Sequence, residues 1–203
     1  MPAARESLLD AAYTSLARRP WSTVRMVDVA AVAGVSRQTL YNEFGSKEGL
    51  ARALVRREAD AYLAGVERAL VSHGEPRERL AAIAEWTASA ARGNPLVRAV
   101  LTGCWSDRLP SPTLSAVPSS SAVPAQRRAD GPLPSPGDFV QLVRDRAVAV
   151  LTAPGATKSE SAELARACEL VVRLGLSCVL APAGEGGTAG LVRDALATVR
   201  VVS

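Results

Sequence analysis

The sequence predicts an all-α protein, with an N-terminal three-helix, helix-turn-helix domain followed by a longer helical domain. Three observations carry this. Of 203 residues, 48% are hydrophobic and only 4% aromatic, with alanine, leucine and arginine abundant, residues that favour helices. Apolar residues recur at i, i+3, i+4 and i+7 in one segment after another, the period of a single helical face. Glycine, proline and serine fall between these segments, where helices start and stop. The net charge of +4 is compatible with a nucleic-acid partner without requiring one.

Residues 1 to 19 form the expected opening helix, with Leu9, Ala12, Tyr13 and Leu16 as its buried stripe. Arg18 and Arg19 suit the negative end of its dipole, and Pro20 stops it. Trp21 is expected to roof the small core. From Val24 to Phe44 the chain reads as two short helices joined by a tight turn. Met26, Val29, Ala30 and Ala33 share one face of the first. Gly34 takes the left-handed backbone that ends it, and Val35 plugs the gap. Ser36 caps the second helix, which runs from Arg37 to about Glu43 with Leu40 and Phe44 facing inward.

The other face of that second helix carries Arg37, Gln38, Thr39, Tyr41 and Asn42. Arg and Gln pair bidentately with base edges in the major groove, and Thr meets a thymine methyl. Tyr and Asn bond phosphate oxygens, which sets register without reading sequence. Gly45-Ser46-Lys47-Glu48-Gly49-Leu50 then supplies a second turn, a second cap at Ser46 and a third helix start, with Lys47 placed where a phosphate is welcome.

In these residues the chain closely resembles the TetR family of bacterial transcriptional regulators. The matching residues are Asp28-Val29-Ala30, Ala33-Gly34-Val35-Ser36, Thr39-Leu40-Tyr41, Phe44, and Ser46-Lys47-Glu48 with Leu50. The resemblance covers about the first quarter of the chain. It departs at Arg25, where the family usually has a Thr or Ser that caps and touches phosphate. Either Thr23 caps from an earlier start, or Arg25 takes over the phosphate. The resemblance implies a homodimer, paired through the last two helices, on a palindromic stretch of double-stranded DNA. It also implies a repressor released when a small-molecule effector binds the C-terminal domain. The expected DNA contacts are Arg25, Ser36, Arg37, Gln38, Thr39, Tyr41, Asn42 and Lys47. The expected domains are 1–50 and 51–203.

The helix from Ser46 is expected to run on past Leu50, Ala53 and Leu54 to Leu70, weakened but not broken at Gly65. His73, the only histidine, reads as an exposed turn residue. Glu75 to Arg92 is a helix with Leu80, Ile83, Ala84 and Ala91 inside and Trp86 at its centre. Gly93-Asn94-Pro95 ends it, and Leu96 to Thr102 begins another. Trp86 and Trp105 either line a ligand pocket or fill the space between helices, since both need the same residues. The candidate lining is Trp86, Leu101, Trp105, Phe139, Val143, Cys168 and Val172. From Ser106 to Gly137, seven prolines and a run of serines deny a helical or strand register. This stretch is expected to be a disordered loop, more in keeping with a tolerated insertion than with a cover over a ligand entrance; Arg127 and Arg128 give it a weak basic spot.

Phe139 to Ala153 returns to helix, with Leu142, Val143, Arg146 and Val150 at helical spacing. Ser159 or Ser161 is expected to cap the next helix, which runs to about Leu180. It is apolar on more than one face, as expected of a central or subunit-paired helix. A last helix covers Ala189 to Val201. These two are the candidate dimer helices, with Gly175 and Ser177 small enough for close approach.

Enzymatic readings find little support. Cys104, Cys168 and Cys178 lack paired spacing or a histidine partner, so no metal or cofactor is expected and the thiols read as reduced and buried. Gly184 to Gly190 has the wrong spacing for GxGxxG and lacks a Walker lysine. No GxSxG, HExxH or SxxK motif occurs, so no catalytic residue is assigned. The charged N-terminus lacks a signal-peptide core, and no run of about 18 apolar residues occurs. The expectation is a cytoplasmic protein with no membrane partner.

Overall fold

The computed structural model describes residues 2–72, 74–110 and 134–198. Among these residues there are nine α-helices, one 3-10 turn and no strand. His73, Arg127, Arg128, Val201 and the centre of the expected Pro/Ser-rich loop lie outside the described residues. The described residues form two compact units, one of residues 2–58 with 104–110, the other of 59–72, 74–103 and 134–198. The division falls at Glu58, inside a continuous helix.

The first unit contains α1 (Pro2–Arg18), a 3-10 turn (Trp21–Thr23), α2 (Met26–Val32), α3 (Arg37–Phe44) and the start of α4 (Lys47–Leu70). The expected α1 stripe is buried at Leu9, Ala12 and Leu16, joined by Leu8 and Ala11. Ser15 is buried with them and returns its hydroxyl to the Ala11 carbonyl at 2.8 Å. Tyr13 is only half-buried, because the apolar stripe is centred on Leu8 and Ala12. Trp21 is buried, and its backbone N–H donates to the Arg108 carbonyl at 2.9 Å. Residues 106–110 are therefore ordered, with a Ser106–Leu109 turn and a buried Pro110.

The second unit contains the rest of α4 with α5 (Pro76–Gly93), α6 (Pro95–Thr102), α7 (Pro136–Leu151), α8 (Lys158–Leu180) and α9 (Gly187–Thr198). Here α5 is central, packing on α6, α8 and α9, while α8 also receives α7. The expected loop ends early on this side too. Ser135 and Asp138 form a reciprocal capping box that starts α7, with Pro136 in its first turn, where a missing N–H costs nothing. The cap of α8 is Thr157 rather than Ser159 or Ser161. It forms a second reciprocal box with Glu160, and the Thr-x-x-Glu spacing gives each side chain one orphan backbone N–H. Val150 is 46% exposed, because Ala147 takes the buried position a turn earlier.

Two close fits define the interior of this unit. Gly65 does not break α4; it admits the Trp86 indole, into which a Cβ at that position would run. The indole N–H then donates to the Tyr62 carbonyl at 2.9 Å. The Tyr62 hydroxyl lies 3.0 Å from Thr87 Oγ1. Since Thr87 donates to the Ile83 carbonyl at 2.8 Å, Tyr62 is the donor to Thr87. Phe139 meets the Tyr62 ring edge-on at 6.3 Å. Gly175 is the other close fit: a Cβ there would crowd the Ala84 backbone at 3.1 Å. That glycine is used inside the monomer, between α8 and α5. Cys168 and Cys178 are buried here, while Cys104 of the first unit is exposed.

Gly65→Ala is expected to destabilise the protein by about 1–2 kcal/mol, the overpacking cost less the helix-propensity gain, read as a lowered urea midpoint. Burial pushes the Tyr62 phenol up to about 12 from 10.0. The unfolded phenol ionises first as pH rises, so stability present below pH 10 is lost between about 10 and 12, by up to ~1.4 kcal/mol per pH unit. Tyr62→Phe is expected to flatten that loss in urea midpoints measured from pH 8 to 11.5.

Candidate nucleic-acid interface

The helix-turn-helix rests on a backbone turn that only glycine enters without strain. Gly34 has φ 68°, in the left-handed region that a Cβ disfavours. Directly after it, Val35 N–H donates to the Ala30 carbonyl at 3.1 Å, and Val35 sits half-buried in the gap. Ser36 caps α3 as expected: its Oγ accepts from Thr39 N–H at 3.0 Å and lies 2.9 Å from Thr39 Oγ1. Leu40 is fully buried and Phe44 nearly so, which turns the opposite face of α3 outward. Arg5 stands 4.8 Å from the Phe44 ring centre and 3.7 Å from Glu43, tying α1 to the end of α3.

Arg37, Gln38, Tyr41 and Asn42 are all exposed, and Thr39 is half-exposed beside the cap. Tyr41 keeps 48% of its surface open. Gln38 and Asn42 are not independent: Gln38 Nε2 donates to Asn42 Oδ1 at 2.7 Å. The i, i+4 spacing of two amides on a helix is the sequence signal for such a bond.

At the α2 entrance one of the two expected forms, a Thr23 cap, is excluded. Thr23 does not cap; its hydroxyl donates to the Pro20 carbonyl at 2.9 Å and closes the 3-10 turn. Arg25 is the N-cap residue, without a capping side-chain bond. Its guanidinium pairs with Asp28 at 3.2 Å and is 74% exposed. Arg19, from beyond the end of α1, reaches the same carboxylate at 3.1 Å. The Arg25 hydrogen bond first, with Arg19 adding to it, holds the Asp28 carboxyl below the usual carboxylate range. The second arm of this two-arginine bracket was not expected from the sequence, since Arg19 comes from a separate element while Arg25 stands three residues before Asp28.

Lys47 opens α4 half-buried. Its ammonium donates to the Ser22 carbonyl at 3.0 Å and lies 5.7 Å over the Trp21 ring. Burial lowers its pKa, with Glu48 pulling the other way. One N–H of the three is committed to Ser22, and the cation is fixed beside the 3-10 turn. Ser46 caps this helix through Gly49 N–H at 3.1 Å.

The seven candidate pocket residues divide between the units. Trp105 belongs to the first; Trp86, Leu101, Phe139, Val143, Cys168 and Val172 belong to the second. Leu101, Phe139, Val143, Cys168 and Val172 are buried and Trp86 half-buried. Burial raises the Cys168 thiol to about 12, so it stays protonated near neutrality. A separate cleft of about 340 Å³ lies where Pro76, Leu151, Pro154, Glu160 and Leu164 meet, and none of the candidate residues lines it. No described helix is long and apolar enough to cross a membrane.

With this geometry in view, residues 8–54 match a family described as bacterial regulatory proteins, tetR family. The HTH-type transcriptional regulator AlkX of Mycobacterium tuberculosis is 43% identical over 101 residues, 49% of this chain and 47% of that protein. The HTH-type transcriptional repressor LfrR of Mycolicibacterium smegmatis is 42% identical over 65 residues, 32% of this chain and 33% of that one. The chain thus matches at most about half the length of these curated relatives, which are transcriptional regulators. Among solved structures, the TetR family repressor AlkX from Dietzia sp. superposes with a TM-score of 0.52 at 22% identity, over 98% of this chain and 99% of that one. That likeness concerns the fold.

Ser36→Ala is expected to lose about 1 kcal/mol of stability, the cost of an N-cap, seen as a lowered urea midpoint with an unchanged slope.

Proposed function

We propose, from the match of residues 8–54 to a family described as bacterial regulatory proteins, tetR family, that the chain is a DNA-binding transcriptional regulator. The observation that carries this is the exposed face of α3, where Arg37, Gln38, Tyr41 and Asn42 stand outward from buried Leu40 and Phe44. A helix seated this way enters the major groove with its first residues nearest the bases. Arg37, Gln38 and Thr39 read base edges. Ser36, Tyr41, Asn42, Arg25 and Lys47 hold backbone phosphates.

The working form is a homodimer on a palindromic operator, because one short recognition helix reads a short site and a two-fold pair doubles it. The last two helices supply the interface: Leu170 and Leu180 of α8 and Leu191 of α9 are exposed apolar side chains. The regulator acts as a repressor that an effector releases. Trp86, Leu101, Phe139, Val143, Cys168 and Val172, drawn from α5 to α8, form the effector site. Their apolar character fits an apolar effector. Binding favours a form of the dimer whose recognition helices no longer match adjacent major grooves. The rival reading is a helical small-molecule-binding protein without DNA activity.

Fluorescence anisotropy with duplexes tiled across the DNA upstream of its own gene tests the proposal. Arg37→Ala and Tyr41→Ala are each expected to weaken binding about tenfold or more, the scale of one lost bidentate or charge-assisted contact. With two phosphate-holding cations per protomer, Arg25 and Lys47, log affinity of the dimer against log salt is expected to fall with a slope of about −3.6, shallower in Lys47→Ala. No duplex affinity at low salt selects the rival.

A further inference from the structure

We infer that Asn42 is a positioning residue that makes Gln38 specific for adenine, by taking away the pose in which Gln38 accepts guanine. This deepens the regulator reading and rests on it.

The inference follows from counting hydrogen-bond groups on two side chains. A glutamine amide has two N–H donors and one oxygen acceptor. In this structure one Gln38 Nε2 donor is committed to Asn42 Oδ1 at 2.7 Å. The second N–H and the Oε1 lone pairs stay outside that bond, on a residue that is exposed. The edge left to a partner is therefore one donor beside one acceptor.

In the major groove, adenine offers an acceptor at N7 beside a donor at N6, and this edge meets it with two bonds. Guanine offers two acceptors, N7 and O6. A Gln38 with both N–H groups at liberty could turn its amino group toward both. Held by Asn42 it presents only one, and its Oε1 faces O6 with no proton between them. Cytosine presents only a donor and thymine an acceptor with a methyl, so each satisfies at most one of the two groups. The Asn42 bond also fixes a long side chain before binding, which lowers the ordering cost of the contact. Asn42 keeps both Nδ2 donors outside this bond and remains able to hold a phosphate.

The test is selection of a randomised duplex pool by the full-length protein and by Gln38→Ala, Asn42→Ala and Asn42→Asp, followed by affinities for single-base variants of the enriched site. All substituted positions are exposed, and circular dichroism melts identify any variant that has lost its fold. One base pair is expected to depend on Gln38, to be A·T, and to favour adenine over guanine by about tenfold or more. Asn42→Ala is expected to lower that adenine-to-guanine ratio several-fold and to weaken binding to all sites uniformly through its lost phosphate contact, leaving the base preferences at the other positions within about twofold. Asn42→Asp keeps the acceptor oxygen; it is expected to retain the ratio while weakening overall affinity by charge repulsion. The inference is overturned if Asn42→Ala keeps the parental ratio, if Asn42→Asp loses it as fully as alanine does, or if the Gln38-dependent pair is G·C. An enriched site indifferent to Gln38 and Asn42 overturns this inference alone. No enriched site from the parent protein overturns the regulator reading and this inference with it.

Discussion

Everything proposed for the first unit depends on which way α3 is turned about its axis. That rotation is set by burial of two side chains, Leu40 and Phe44, on one edge of an eight-residue helix. Eight residues form too short a helix to persist alone in water. It exists because Gly34 supplies the turn, Ser36 caps the first exposed amides and the apolar edge is held by its neighbours. The polar side chains on the far edge then have a fixed heading with no scaffold of their own.

The features of this unit that local chemistry controls were readable from the chain. A glycine at the turn, a serine before the helix and apolar spacing of four residues each act over a few positions. Their outcome does not wait on the rest of the fold. Features that require elements to meet were less accessible. In the Arg19–Asp28–Arg25 bracket the i,i+3 spacing of Arg25 and Asp28 is a readable signal, but the Arg19 arm comes from the far side of the 3-10 turn and nothing in its spacing announces it. The seating of Lys47 on the Ser22 carbonyl likewise needs two separate elements to converge. The Gln38–Asn42 bond lay within reach, since four residues on a helix is one turn. It is hidden when each side chain is considered only as a contact to something outside.

The second unit follows the same division. Its helices were predictable from periodicity, and their boundaries moved by a few residues where capping boxes overruled simpler caps. Thr157 prevails over Ser159 and Ser161 because Glu160 stands three places later and answers it. What the sequence conceals is how polar groups are housed in the interior. Gly65 reads as a weakness in a long helix; in the fold it is the recess that receives Trp86. Thr87, inside α5, accepts from the Tyr62 hydroxyl and donates its own O–H to the Ile83 carbonyl. A buried hydroxyl pair of this kind is costly unless both members are satisfied, and here both are.

The three cysteine thiols differ in one practical respect. Cys168 and Cys178 are enclosed in the core of the second unit, whereas Cys104 opens to solvent in the first. Thiol chemistry requires an accessible sulfur, so a maleimide dye or spin probe applied to the folded protein meets one attachment point without any engineering. The molecule thus carries its own address for spectroscopy on the unit that bears α3.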